Sequence, residues 1–149
     1  MIRYFAYGSN MSENRMIKRG LKPSGKQIGV LYDYTFKINK RSYKNPEIGF
    51  ANIVSEKYSF VEGILYEVKD EEINILDKFE GAPKHYSRQI MKVRLDNGSD
   101  VDAIVYVATP KWTTENELKT TEEYKNFILE GKEWLSDGYY QKLNENIQI

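Results

Sequence analysis

The groups able to do chemistry in this sequence are few. There is no cysteine, which removes thiolate nucleophiles, disulfides and cysteine-held metals. There is one histidine, His85, which leaves no basis for a histidine metal site. Ser9 follows Gly8, but YGSN lacks the G-x-S-x-G spacing of a nucleophile elbow. The single imidazole also falls at the exit of a predicted helix, so a Ser–His triad is not supported. Gly8 alone makes neither a dinucleotide fingerprint nor a phosphate loop. Asp70, Glu71 and Glu72 are successive helical positions, which do not converge on one ion and serve better as helix N-terminal charge. What remains is proton transfer by a carboxylate.

One carboxylate stands out by position. The run KDEEINILDKFEGAP predicts a helix over 70–80, with Asp70 as N-cap and with Gly81 and Pro83 to stop it. Ile73 and Leu76 mark its buried stripe. Glu80 follows Leu76 by four residues and Ile73 by seven, so it shares that stripe. A core-side carboxylate costs several kcal/mol unless it is paired or protonated. Desolvation and the negative end of the helix dipole both push such a carboxyl above the roughly 4.3 of a free glutamate. A glutamate tuned toward neutrality suits general acid–base catalysis. The plainer alternative is a frayed helix end, with Glu80 exposed or paired to His85, Lys84 or Arg88.

A second stretch, YFAYGSNM at residues 4–11, runs aromatic strand residues into Gly-Ser-Asn. It reads either as a simple strand-to-helix connector or as a nest of backbone N–H groups able to hold an anion.

The elements that must position these groups follow from pattern. A strand over 2–7 leads to a short helix capped by Asn10 or Ser12 and ended at Gly20. Residues 27–38 alternate as a strand. NKRSYKNPEIG reads as a polar loop, and FANIVS and YSFVEGILYEV as two further strands, with Gly63 marking a bulge or a close backbone approach. Residues 88–95 and 101–108 form a hairpin around Asn97-Gly98. The tail from 120 is helical, with a Thr120–Glu123 capping box and Tyr124, Phe127, Ile128 and Leu135 on one face. About six strands in two blocks, without regular strand–helix alternation, predict an α+β fold rather than a doubly wound sheet: a mixed or antiparallel sheet closing toward a small barrel with flanking helices. A length of 149 residues suits one domain, 1–149.

YFAYGSNM together with LDKFEGAPKHY resembles the γ-glutamylcyclotransferase family, including its AIG2-like branch. FANIVSEKYSFVEGILYEV is similar to the family's middle strands and Tyr86-x-Arg88 to the entry into its next strand, so the resemblance runs from residue 2 to about 135. It implies a small mixed β-barrel with helices packed around it. It also implies conversion of a γ-glutamyl amine or γ-glutamyl amino acid to 5-oxoproline and the free amine, of acyltransferase or cyclising-lyase type. The α-amine attacks its own γ-carbonyl, without metal, cofactor or water. By the resemblance, Glu80 is the catalytic acid/base. Tyr4, Phe5, Ala6, Tyr7, Gly8 and Ser9 match the substrate loop, Asn10 fixes the turn, and Tyr124 matches a pocket tyrosine. Each has a plain structural alternative: Tyr4, Phe5 and Ala6 as strand core, Asn10 as a helix cap, Tyr124 as core. The stretch KEWLSDGYYQKL after Gly131 is shorter than the family's usual tail and lacks its Gly-Leu-Pro. In the loop TPKWTTENELKT, Trp112 is a candidate for choosing the leaving group.

Composition bounds the alternatives. A formal net charge of zero argues against general nucleic-acid binding, and the run KINKRSYKN is explained as a solvated loop. No apolar run reaches the roughly 18 residues of a membrane helix, and no signal-peptide core is present, so the expected location is the cytoplasm. The sequence does not specify an oligomeric state. A non-catalytic binder of a small carboxylate or γ-glutamyl ligand in the same pocket is the alternative function.

Overall fold

Strand β1 (Ile2–Ala6) pairs antiparallel with the end of β3 (Gly49–Val68), from Ile2 opposite Val68 to Ala6 opposite Ile64. β3 pairs with β2 (Ser24–Arg41), β2 with β4 (Tyr86–Leu95), and β4 with β5 (Asp100–Ala108). A parallel step between Tyr4 of β1 and Ile104 of β5 closes the circle. The computed structural model, which describes Met1–Ile149, is thus a closed barrel in the order β1-β3-β2-β4-β5. The one parallel pair makes it mixed. Four helices accompany it: α1 (Glu13–Lys18), α2 (Asp70–Glu80), α3 (Glu122–Leu129) and α4 (Asp137–Asn146). The α+β barrel with flanking helices expected from the sequence is the fold observed.

Phe5, Val61, Ile64, Val93 and Val105 are fully buried, each contributing about 1.5–3 kcal/mol relative to exposure. Gly63 lies where two backbones meet. A Cβ there would stand 2.4 Å from the Ala6 carbonyl oxygen and 3.0 Å from the Phe5 ring, so only glycine lets β1 seat against β3.

The strand count differs from the expected six. FANIVS and YSFVEGILYEV are one continuous strand, β3, because the stretch SEKYS at their junction bulges without leaving the sheet. Tyr34 pairs with Ser55 and Tyr32 with Phe60, and the kink is held by Asp33 and Tyr58, both at positive φ, with the Tyr58 N–H donating to Asp33 Oδ1 at 3.1 Å. The expected polar loop after residue 38 is also partly strand. Asn39–Arg41 belong to β2, and only 42–48 connect to β3.

Caps shift by one residue. Lys69, not Asp70, is the N-cap of α2, with its N–H donating to Glu72 Oε1 at 2.8 Å. Thr121, not Thr120, caps α3 by accepting from Tyr124 N–H at 3.1 Å. Thr120 instead ties the tail down, its N–H donating to the Gln148 carbonyl at 2.8 Å. α3 stops at Leu129, so Leu135 is buried from beyond that helix rather than along its face.

Candidate active site

Ile73 and Leu76 seat α2 on the barrel, and both are almost wholly buried. Asp77 fixes its height: the Tyr106 hydroxyl of β5 donates to Asp77 Oδ1 at 2.6 Å, and Arg88 of β4 pairs with the same carboxylate at 3.7 Å. Gly81 ends the helix at φ 61°, in the left-handed conformation of a C-terminal cap. One turn beyond Leu76, Glu80 therefore projects toward the barrel and opens onto a cavity of about 460 Å³.

The opposite side of that cavity is built by the end of β1. After Ala6 the chain leaves the sheet, and Gly8 lets it pass closely over β3. A Cβ on Gly8 would stand 2.9 Å from the Ala51 Cβ and 3.7 Å from the Tyr124 hydroxyl. The Tyr7 and Gly8 N–H groups donate to no protein acceptor, while the Gly8 carbonyl accepts from Met11 N–H at 3.1 Å to start the turn Ser9–Met11. Both residues line the cavity, and their amides are left as unpaired donors.

Asn10 joins the two halves. Its Nδ2 donates to the Tyr4 hydroxyl at 3.0 Å and, at a longer 3.4 Å, to Glu80 Oε1. Its Oδ1 accepts from Arg19 Nη1 at 3.0 Å, so a guanidinium just past α1 is linked through one amide to the carboxylate on α2. Asn10 does not cap α1. Ser12 does, accepting from Arg15 N–H at 3.2 Å.

Burial pushes the Glu80 carboxyl up to about 7, and the nearby cations Arg19, Arg15 and Lys40 hold it from rising further. None of the expected partners pairs with Glu80: Arg88 is on Asp77, and His85, which lines the same cavity, lies against Trp112 with ring centroids 4.0 Å apart. Burial and the adjacent Lys40 lower the His85 pKa, leaving it a poor competitor as acid at neutral pH. Tyr4, Tyr7, Tyr86, Tyr106 and Tyr124 also border the cavity, and burial holds every one of their hydroxyls above the ordinary tyrosine value, Tyr124 to about 12. They are neutral hydrogen-bonding groups at physiological pH. The Tyr124 hydroxyl accepts from Ala51 N–H at 3.0 Å and the Tyr86 hydroxyl donates to the Ala51 carbonyl at 2.7 Å, which pins both rings to β3.

Of the residues singled out from the sequence, Tyr4, Phe5, Tyr7, Gly8, Ser9, Asn10, Glu80 and Tyr124 border this one cavity. Ala6 does not; it is buried in β1, with its carbonyl over Gly63. Phe5 borders the cavity while its ring packs inside the barrel near Gly29 and Gly63. Trp112 is buried beside His85 and Lys40 rather than on the cavity wall. Lys40 was hidden. Ile38 pairs with Ala51 but Lys40 with Phe50, so a bulge at Asn39 turns Lys40 to the face opposite Ile38 and into the cavity wall. Simple alternation gives no sign of that bulge. No three His, Cys, Asp or Glu side chains come together as a metal site, and no helix is long and apolar enough to cross a membrane.

The fold and this cavity define a class of small barrel proteins that present a buried-side glutamate to a glycine turn. The sequence profile of the family described as "Gamma-glutamyl cyclotransferase, AIG2-like" matches residues 4–135, and the chain belongs to that family. A Methanocaldococcus jannaschii protein, provisionally named a gamma-glutamylcyclotransferase, is 31% identical over 74 residues. That match takes in 46% of this chain and 62% of the relative's length. A crystal structure of an uncharacterized human protein superposes with a TM-score of 0.85 at 25% identity, over 99% of this chain and 88% of that one. A structure named gamma-glutamyl cyclotransferase gives 0.83 at 24%, over 99% and 88%, which shows the shared fold. YkqA from Bacillus subtilis gives 0.82 at 27%, over 98% of this chain and 54% of that one.

Proposed function

We propose that this protein is a γ-glutamyl cyclotransferase that releases 5-oxoproline from a γ-glutamyl amine or γ-glutamyl amino acid, with Glu80 as general acid/base. The observation that carries the reading is the pairing, across one cavity, of a carboxyl poised at about 7 with unpaired backbone donors at Tyr7 and Gly8. The reaction needs no more than this. Ionised Glu80 accepts a proton from the substrate ammonium, and the freed α-amine attacks the γ-carbonyl carbon. The new C–N bond closes a five-membered ring, and negative charge grows on the carbonyl oxygen. The Tyr7 and Gly8 amides stand ready to donate to that oxygen. Glu80 then gives the proton to the departing nitrogen as the original amide bond breaks, and the second proton shed by the ring nitrogen ends on the released amine, which leaves as its ammonium. Substrate atoms are divided between 5-oxoproline and the amine, and no water is consumed.

Because nucleophile and electrophile belong to one molecule, holding the bent conformer supplies much of the acceleration. The tyrosine-lined wall does this: Tyr4, Tyr86 and Tyr124 are each anchored by a hydrogen bond and offer rigid faces rather than mobile ones. Asn10 holds Glu80 and the turn in a fixed relation.

The test is incubation of the purified protein with a panel of γ-glutamyl amino acids and γ-glutamyl amines, with 5-oxoproline detected by mass spectrometry. Release from at least one member is expected. Thermal stabilisation by the panel without any 5-oxoproline would make the protein a binder and not an enzyme.

A further inference from the structure

We propose that Lys40 is a specificity residue of this cavity, and that it selects γ-glutamyl compounds whose leaving amine itself carries an anionic group, a carboxylate being the simplest. The inference rests on the cyclotransferase reading above and adds the chemical class of the leaving group.

Charge is the starting point. The cavity wall carries one carboxylate, Glu80, against five cationic side chains, Arg15, Arg19, Lys40, Lys44 and Lys78. The γ-glutamyl half of any substrate brings one carboxylate and one ammonium. The ammonium is met by Glu80. One carboxylate is met by the α1 end of the cavity, where Arg15 and Arg19 stand beside the β1 turn. Lys40, Lys44 and Lys78 are left over; Lys44 and Lys78 are exposed to water, and only Lys40, on a different element, β2, is buried.

Its surroundings make the surplus specific. Lys40 is 5% exposed and takes part in none of the ion pairs of the chain, Lys26–Glu13, Lys37–Glu117, Arg88–Asp77, Lys92–Asp102 and Arg94–Asp100. Its ammonium sits over ring faces instead, 5.0 Å from the Trp112 centroid and 5.8 Å from those of Phe50 and Tyr86. Burial lowers the Lys40 pKa from its ordinary value, and nearby Glu80 opposes that fall; ring faces attract the ammonium but accept none of its three N–H bonds in the way an anion does. A buried ammonium held in this manner is a strong site for a carboxylate and a poor neighbour for a second cation. Arg15 and Arg19 pack on other rings, Phe127 and Phe79, so the two cationic regions share no ring. A ligand with anions at both ends fits both. A polyamine leaving group would bring its free ammonium against Lys40.

The experiment compares γ-glutamyl-alanine with γ-glutamyl-ethylamide, which lacks only the carboxylate of the leaving group, and with γ-glutamyl-putrescine. kcat/KM is read as 5-oxoproline release by the wild type, Lys40→Met and Lys40→Arg. The wild type is expected to prefer γ-glutamyl-alanine over the ethylamide at least tenfold, with the putrescine adduct poorer still. In Lys40→Met that preference collapses toward unity, chiefly through KM, and Lys40→Arg restores most of it. A wild type without preference for the acidic leaving group overturns the inference and needs no variant to do so. Equal losses on both substrates in Lys40→Met also overturn it, because Lys40 would then serve the γ-glutamyl half or the fold. In either case 5-oxoproline still appears and the cyclotransferase reading stands. No 5-oxoproline from any of the three, with release from another member of the wider panel, overturns the inference alone; no release from the whole panel overturns both.

Discussion

At the scale of single residues, Glu80 is where the effect of burial on stability and the proposed proton transfer can be told apart. Its carboxyl is raised to about 7 in the folded protein, against an ordinary value near 4.5. Between those two values the folded state binds more protons than the unfolded state, so stability falls as pH rises through that window. Glutamine carries no such cost. Glu80→Gln is therefore expected to be more stable than the wild type at pH 8, by on the order of 1–2 kcal/mol, with the advantage fading toward pH 4.5. Denaturant melts of both proteins at the two pH values check this, and a variant less stable at pH 8 would contradict the burial account. The helical stripe shared with Ile73 and Leu76 makes Glu80 legible in the sequence. Its long hydrogen bond to Asn10 is not legible there, because the two residues are distant along the chain and only the barrel brings them together.

At the scale of elements, the site is a property of how β1 ends. β1 runs out of the sheet into Tyr7 and Gly8, and the Gly8 backbone is pressed against Ala51 of β3. Ala51 also anchors Tyr124 and Tyr86 through its N–H and carbonyl, so turn and rings share one support. Gly8→Ala forces a methyl to 2.9 Å from the Ala51 Cβ. The expected result is a loss of about 1–3 kcal/mol in stability and at least a tenfold loss in kcat/KM from a displaced turn. Unchanged kcat/KM would mean that the turn does not position the substrate. The strand–turn–helix order is readable from YFAYGSNM, as is the helix of Glu80. The bulge at Asn39 is not, since a polar run looks alike in a loop and in a strand whose buried lysine lies over aromatic rings.

At the scale of the molecule, closure of the barrel brings residues 4–10, 40, 80 and 124 together around one cavity, with Ala6 buried behind its wall. The C-terminal segment is fastened by a second device away from it. Glu62 of β3 accepts from Ser136 N–H at 2.7 Å and from its hydroxyl at 2.6 Å, at the N-cap of α4. Hydrogen bonds to a charged group contribute about 1.5–3 kcal/mol. Glu62→Ala is expected to lose about that much in a denaturant melt while its kcat/KM at 25 °C stays within about twofold of the wild type. A large activity loss with little loss of stability would place this clamp in the site. The mixed barrel is foreseeable from strand patterning and from the absence of strand–helix alternation. The order of strands around it is not, because the parallel step between Tyr4 and Ile104 leaves no local trace in the sequence.

The most direct test of the account is the pH dependence of 5-oxoproline release by the wild type and Glu80→Gln. The wild type is expected to gain activity with rising pH through a limb near 7, as ionised Glu80 becomes available. Glu80→Gln is expected to lose about 10²–10⁴-fold in kcat/KM and to lose the limb with it. A folded Glu80→Gln protein that releases 5-oxoproline at the wild-type rate, with the same pH limb, would contradict the assignment of Glu80 as the acid/base.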